Sequence, residues 1–199
     1  MSLLRKQKLD NHVVLEFFDI PSSDYLDMIA ASIPHLNIQL SPETHDPKIR
    51  ATFGRPYDNQ KMEQMIERLL NLGCHKFDLF FMIGLPGQDT KSVLNTVEYI
   101  DHLLEKMDQS KKLFPYISPL APFLDPGSRA FENPEKYGYK LFYHTLEEHR
   151  RALLGPSWKQ MLNYETAWMT RDEIVECTYQ SALKLNQVKY KHGLIRLKK

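Results

Sequence analysis

Two short stretches of this 199-residue chain hold residues suited to chemistry. The first, "SPETHDPKIR", places Ser41, Glu43, His45, Asp46 and Arg50 directly after a short apolar run. A carboxylate at Glu43 can accept hydrogen bonds from a ribose or an amine. Arg50 can grip a carboxylate through two parallel N–H donors. Glu43, His45 and Asp46 make a poor metal set, because nothing at helical spacing completes it. A capped, solvated loop is the competing reading. The second stretch, "FMIGLPGQDT", stops an apolar run at Gly84, Leu85, Pro86 and Gly87, just before a helical pattern. Without a Cβ, Gly84 and Gly87 let backbone amides approach a ligand closely, and a helix N-terminus behind them offers free N–H groups. No lysine-bearing phosphate loop is present, so a flat, uncharged adenine edge suits this turn better than a triphosphate. A plain tight turn between strand and helix explains the same glycines.

The elements that must carry these residues follow from hydrophobic period. "HVVLEFF" (His12 to Phe18) reads as a buried strand. Ser22 or Ser23 caps a helix with Leu26, Ile29, Ala30 and Ile33 on one face, ended by Pro34. "HLNIQL" is a second strand, followed by a long loop from Ser41 to Asn59. Met62, Met65, Ile66, Leu69 and Leu70 mark the next helix, with Gly73 at its left-handed end. "KFDLFFMI" is a third strand, and Thr90 caps a helix with Val93, Leu94, Val97, Ile100 and Leu104 on its face. "LFPYISPL" is a fourth strand, which its prolines make irregular or an edge. A helix is expected from about Tyr139 to Leu154, and another from Thr170, where Thr170 and Glu173 form a capping box.

Strands alternating with helices imply a parallel sheet with right-handed crossovers. Ligands of such sheets sit beyond the carboxyl ends of the strands. That selects the segments after Leu40, after Ile83 and around Pro119 to Ser128.

Charge is nearly balanced, with 26 Lys and Arg against 25 Asp and Glu, which argues against a nucleic-acid binder. The tail "VKYKHGLIRLKK" is basic and reads as a solvated end. No apolar stretch reaches the roughly 20 residues of a membrane span, and "MSLLRKQKLD" carries no secretory core. Two cysteines, Cys74 and Cys177, make no disulfide framework, so a reducing cytoplasm is expected. With no CxxC or CxxxC, the chain cannot hold an iron–sulfur cluster or a four-cysteine zinc by itself.

The ordered set "IQLSPETHDPKIRATFGRPYDN", "MEQMIERLLNLGCHKFDLFFMIGLPGQD" and "SPLAPFLDPGS" resembles the radical S-adenosylmethionine (SAM) enzymes. It looks most like the branch often linked to an upstream cobalamin-binding domain. The resemblance runs from His12 to Ser128 and more loosely beyond. It implies a partial, incomplete parallel (β/α) barrel of the TIM-like kind, here beginning near the third strand. It further implies two regions, 1–128 as the C-terminal part of that barrel and 129–199 as a helical extension. In the family a CxxxCxxC motif after the first strand binds a [4Fe-4S] cluster, whose open iron chelates SAM and cleaves it to a 5′-deoxyadenosyl radical. That motif is missing here, so the resemblance implies the C-terminal piece of a longer enzyme, with a natural cluster-less relative as the alternative.

By the same resemblance, Ser41 and Glu43, with Arg50 behind, match the contacts to the ribose and amino-acid part of SAM. Ile83, Gly84, Leu85 and Gly87 match the segment lining the adenine. Gln88 stands where many members have Glu. The competing functions are a cluster-independent barrel enzyme with a carboxylate such as Glu16, Glu43 or Asp125, and a non-catalytic binding module. Neither a membrane nor nucleic acid is an expected partner. The small-molecule substrate has no signature, and an open sheet edge suits a homodimer.

Overall fold

A computed structural model describes residues 6, 10–107, 111–119 and 124–196. The "MSLL" start, Leu120 of the expected fourth strand, residues 120–123 of the segment before Ser128 and the last three residues of the basic tail lie outside them.

The chain alternates strand and helix as its periodicity requires. Strand β1 (Val13–Phe17) leads to helix α1 (Ser23–Ala30), capped by Ser22, whose Oγ accepts from Tyr25 N–H in the first turn. Strand β2 (Leu36–Glu43) is followed by a short helix α2 (Pro47–Thr52) and helix α3 (Asn59–Asn71). Strand β3 (Lys76–Ile83), helix α4 (Thr90–Met107) and strand β4 (Leu113–Pro119) complete the repeat. The four strands lie side by side in the order β1-β2-β3-β4, all parallel. Among the described residues β1 and β4 stay unpaired on their outer sides, so the sheet is an incomplete (β/α) barrel and not a closed one.

The core shows why one face is buried. Leu36, Ile38 and Leu40 of β2 pack with Phe77, Leu79 and Phe81 of β3 against Ile29, Met62, Met65, Ile66, Val97 and Ile100 of the helices. Successive side chains of a strand point to opposite faces. The alternate residues Glu16, Gln39, Asp78, Phe80 and Tyr116 therefore share the other face, which carries no helix of the repeat. There Phe80 and Tyr116 stack at 5.1 Å, and the Lys189 ammonium lies 4.4 Å over the Tyr116 ring.

Three expectations change. The segment from Ser41 to Asn59 is not a continuous loop: β2 runs on to Glu43, and Asp46 caps α2 with Pro47 in its first turn. Asp89, not Thr90, caps α4, its Oδ1 accepting from Ser92 N–H at 2.7 Å. No helix runs through Tyr139. Instead β5 (Tyr139–Leu141) pairs antiparallel with β6 (Tyr164–Thr166). Tyr139 and Leu141 alternate with an exposed Lys140, a strand period that only its distant partner completes. Short helices α5 (Arg129–Glu132), α6 (Leu146–Ala152) and α7 (Trp158–Met161) surround this ribbon. The long helix α8 (Arg171–Lys191) opens with the Thr170–Glu173 capping box. Among the described residues no helix is long and apolar enough to cross a membrane.

The ribbon builds a second core from Ile83, Val93, Leu141, Leu162, Tyr164 and Ile174. Tyr164 reaches the turn after β3: a Cβ added to Gly84, at φ +88°, would stand 2.7 Å from its hydroxyl. The side-chain-free surface of Gly84 is thus taken up by Tyr164. Gly84→Ala should cost ~3 kcal/mol or more, from left-handed strain plus overpacking. Gly54→Ala, also at positive φ but with nothing within 4 Å of its Cβ, should cost ~1 kcal/mol. Urea denaturation of the two variants gives the comparison, and equal losses would contradict the Tyr164 contact.

Candidate functional site

Beyond the carboxyl ends of β1 and β2, chain geometry gathers a polar cluster. Pro42 has no N–H to give to a ladder, and the β2–β3 register slips there: Leu40 pairs with Leu79, but Glu43 pairs with Phe81. Thr44 N–H then turns back onto Pro42 C=O at 2.8 Å, closing a three-residue turn around Glu43. Glu43 sits at φ +68°, the rare and strained form of such a turn. A non-glycine residue held this way is a mark of an over-determined site.

The Glu43 side chain is turned inward, 1% exposed. Its Oε1 accepts from Arg55 Nη2 at 3.0 Å, while Oε2 is buried with no hydrogen-bond partner among the described residues. Arg55 also donates to Ser41 C=O at 3.4 Å and lies 4.8 Å over the Phe18 ring. Ser41 Oγ donates to Glu16 Oε1 at 3.3 Å. Burial disfavours the charged form of Glu43 and pushes its pKa up to about 7, against the opposing pull of Arg55. A carboxyl that changes charge near neutrality can give or take a proton, or accept hydrogen bonds from a diol or an ammonium.

Ser41 and Glu43 thus meet, together with Glu16. Arg50 does not share this cluster. Its guanidinium is fully buried and donates to the carbonyls of Thr44, His45 and Tyr57 and to Asn59 Oδ1. The carboxylate grip expected of Arg50 falls instead to Arg55, five residues on, which only burial tells apart from it. Phe18 was likewise illegible as a site residue, since its exposure becomes clear only in the sheet.

Tyr57 borders the cluster from behind. Its hydroxyl is buried without a partner among the described residues, and burial raises its pKa to about 12. It lines a groove of about 1080 Å³ between α1 and α3, bounded also by Asp19, Ser22, Lys61 and Met65.

The turn after β3 is self-contained. Gln88 Oε1 accepts from Gly84 N–H at 2.8 Å and Leu85 N–H at 3.2 Å, and its amide donates to Met82 C=O at 3.1 Å. Ile83 and Leu85 are buried, and Gly87 is exposed at φ +81°. Of the two amides read from sequence as ligand-facing, Gly84 and Gly87, that of Gly84 is therefore engaged by this side chain. A glutamine does this in one charge state, since it both accepts and donates. Asp125 is exposed, away from any such cluster.

Cys74 belongs to the sheet core and Cys177 to the second core, and both are buried and outside any disulfide. Two thiols so placed do not fit an iron–sulfur cluster.

Glu43 gives a measurable pH signature. The unfolded chain releases this proton near 4.5 and the native state near 7. Between those values the native state binds more protons, so stability falls as pH rises, by at most ~3 kcal/mol. Glu43→Gln lacks this titration. Its stability relative to the parent chain should rise from pH 5 to pH 8 in urea melts, and parallel curves would count against the buried carboxyl.

No family model matches the sequence. No curated protein matches it. Among solved structures, the chain is similar to coproporphyrinogen III oxidase (HemN) from Escherichia coli, described as a radical SAM enzyme, at 14% identity and a TM-score of 0.47. The match covers 79% of this chain and 41% of that one, so the chain spans less than half the length of that enzyme.

Proposed function

We propose that this chain is the SAM-binding, C-terminal part of a radical SAM-type barrel, with Ser41, Glu43 and Arg55 at the rim holding the polar half of the cofactor. The observation that carries the reading is Glu43: a buried carboxyl with one free oxygen, on a strained turn at the carboxyl end of a parallel strand. The quoted motifs support the same assignment. In it, Glu43 Oε2 accepts from the ribose hydroxyls or the α-ammonium. Arg55 meets the cofactor carboxylate. Arg50 acts only by holding the loop. When bound beside a reduced cluster, SAM supplies a 5′-deoxyadenosyl radical. The cluster has no ligand set in these residues and would come from elsewhere in a larger protein, together with cobalamin from an upstream domain.

A cluster-independent enzyme is the second reading, favoured by the near-neutral pKa of Glu43, which suits a general acid–base. Calorimetric titration with SAM separates the two. The first reading expects one equivalent bound, weakened at least ~10-fold (~1.4 kcal/mol) in Glu43→Ala and in Arg55→Ala. It also expects no 5′-deoxyadenosine from the chain incubated with SAM and a strong reductant. Saturable SAM binding indifferent to both substitutions, or no binding at all, would overturn it.

A further inference from the structure

At the opposite end of the sheet, three histidines meet. His12 precedes β1, His35 precedes β2 and His75 precedes β3. Parallel pairing holds their backbones: Val13 N–H donates to His35 C=O at 2.9 Å, and His75 N–H donates to Leu36 C=O at 2.8 Å. The ring centres of His12 and His35 stand 5.0 Å apart, those of His35 and His75 5.2 Å, and those of His12 and His75 5.7 Å. His35 Nδ1 is buried with no hydrogen-bond partner among the described residues. Its Nε2 lies 3.4 Å from the Asp10 carboxylate. A buried ring nitrogen without a partner calls for an explanation.

We propose that His12, His35 and His75 form a binding site for a borderline divalent transition metal, zinc being the reference ion, with His35 ligating through Nδ1, Asp10 holding its Nε2, and water as fourth ligand. Three imidazoles on one tetrahedral ion, each nitrogen about 2 Å from the metal, place their ring centres roughly 5 Å apart. The observed spacings match that. In the structure the three rings do not yet bring their nitrogens within 4.8 Å of one another, as the ligand atoms of Asp101, Glu105 and His192 are. Binding a metal therefore requires the rings to turn about the Cβ–Cγ torsion, which is soft. Nitrogen ligands select zinc, nickel or copper over magnesium or calcium. The Asp101 group is not a rival, because the Lys191 ammonium already lies 2.9 Å from both Asp101 oxygens and 2.6 Å from Glu105 Oε1. A metal at the histidines pins the starts of three strands, including edge strand β1.

The test is calorimetric titration of the tag-free chain with zinc chloride, repeated with magnesium chloride. The expected result is one zinc equivalent, no magnesium, and a Tm raised by roughly 5 °C at a hundredfold excess over Kd. His12→Ala and His75→Ala alter exposed side chains, and each should weaken zinc at least ~10-fold, while Asp101→Asn leaves it unchanged. No saturable zinc binding would overturn the proposal. So would zinc affinity retained by the His12→Ala, His75→Ala double variant, or lost in Asp101→Asn.

Discussion

A buried guanidinium organises the rim of this sheet. Removing Arg50 from water is expensive, and the native state tolerates it because every side of the fork finds an oxygen. Thr44 and His45 lie just past the strained turn, and Tyr57 and Asn59 stand at the start of α3. The Tyr57 ring also sits 5.1 Å from the Arg50 charge. One cation therefore staples the end of β2 to the beginning of α3 across the intervening helix. Burial pulls its pKa down from the usual arginine value, yet an arginine stays charged under all ordinary conditions. The staple is permanent, and the segment between its ends has little freedom.

That permanence sets up the contrast with Arg55. Arg50 has carbonyls and an amide for partners, while Arg55 has a carboxyl whose charge depends on pH. The left-handed conformation at Glu43 would relax if the flanking chain could move, and the staple prevents it. The same architecture leaves Glu43 Oε2 without a partner. Rigidity and incomplete hydrogen bonding occur together here, as they do where a site is preorganised for something that arrives later.

Much of the repeat was legible because each element announces itself locally. β3 occupies the residues its apolar run marks, and the Met62–Leu69 stripe faces the core. Gly73 adopts φ +86° where the helix pattern stops. What stayed hidden depends on distant partners. Tyr139 and Leu141 become a strand only against Tyr164 and Thr166. Gly84 reads as an opening for a ligand until Tyr164 is seen against it. Arg50 and Arg55 look alike in sequence, and the difference between staple and site is burial. The positive φ of Glu43 has no sequence mark, although Pro42 warns that ladder pairing must break nearby.

Helix α8 has one more consequence. Its first half places Ile174 and Cys177 in the ribbon's core, and its second half places Leu185 and Val188 against the main sheet. A single rod of 21 residues, roughly 30 Å long, is thus shared by two apolar clusters. Neither cluster can come apart without exposing one end of the rod. Melting should accordingly be concerted, with both halves of the molecule lost in one thermal transition and not in two.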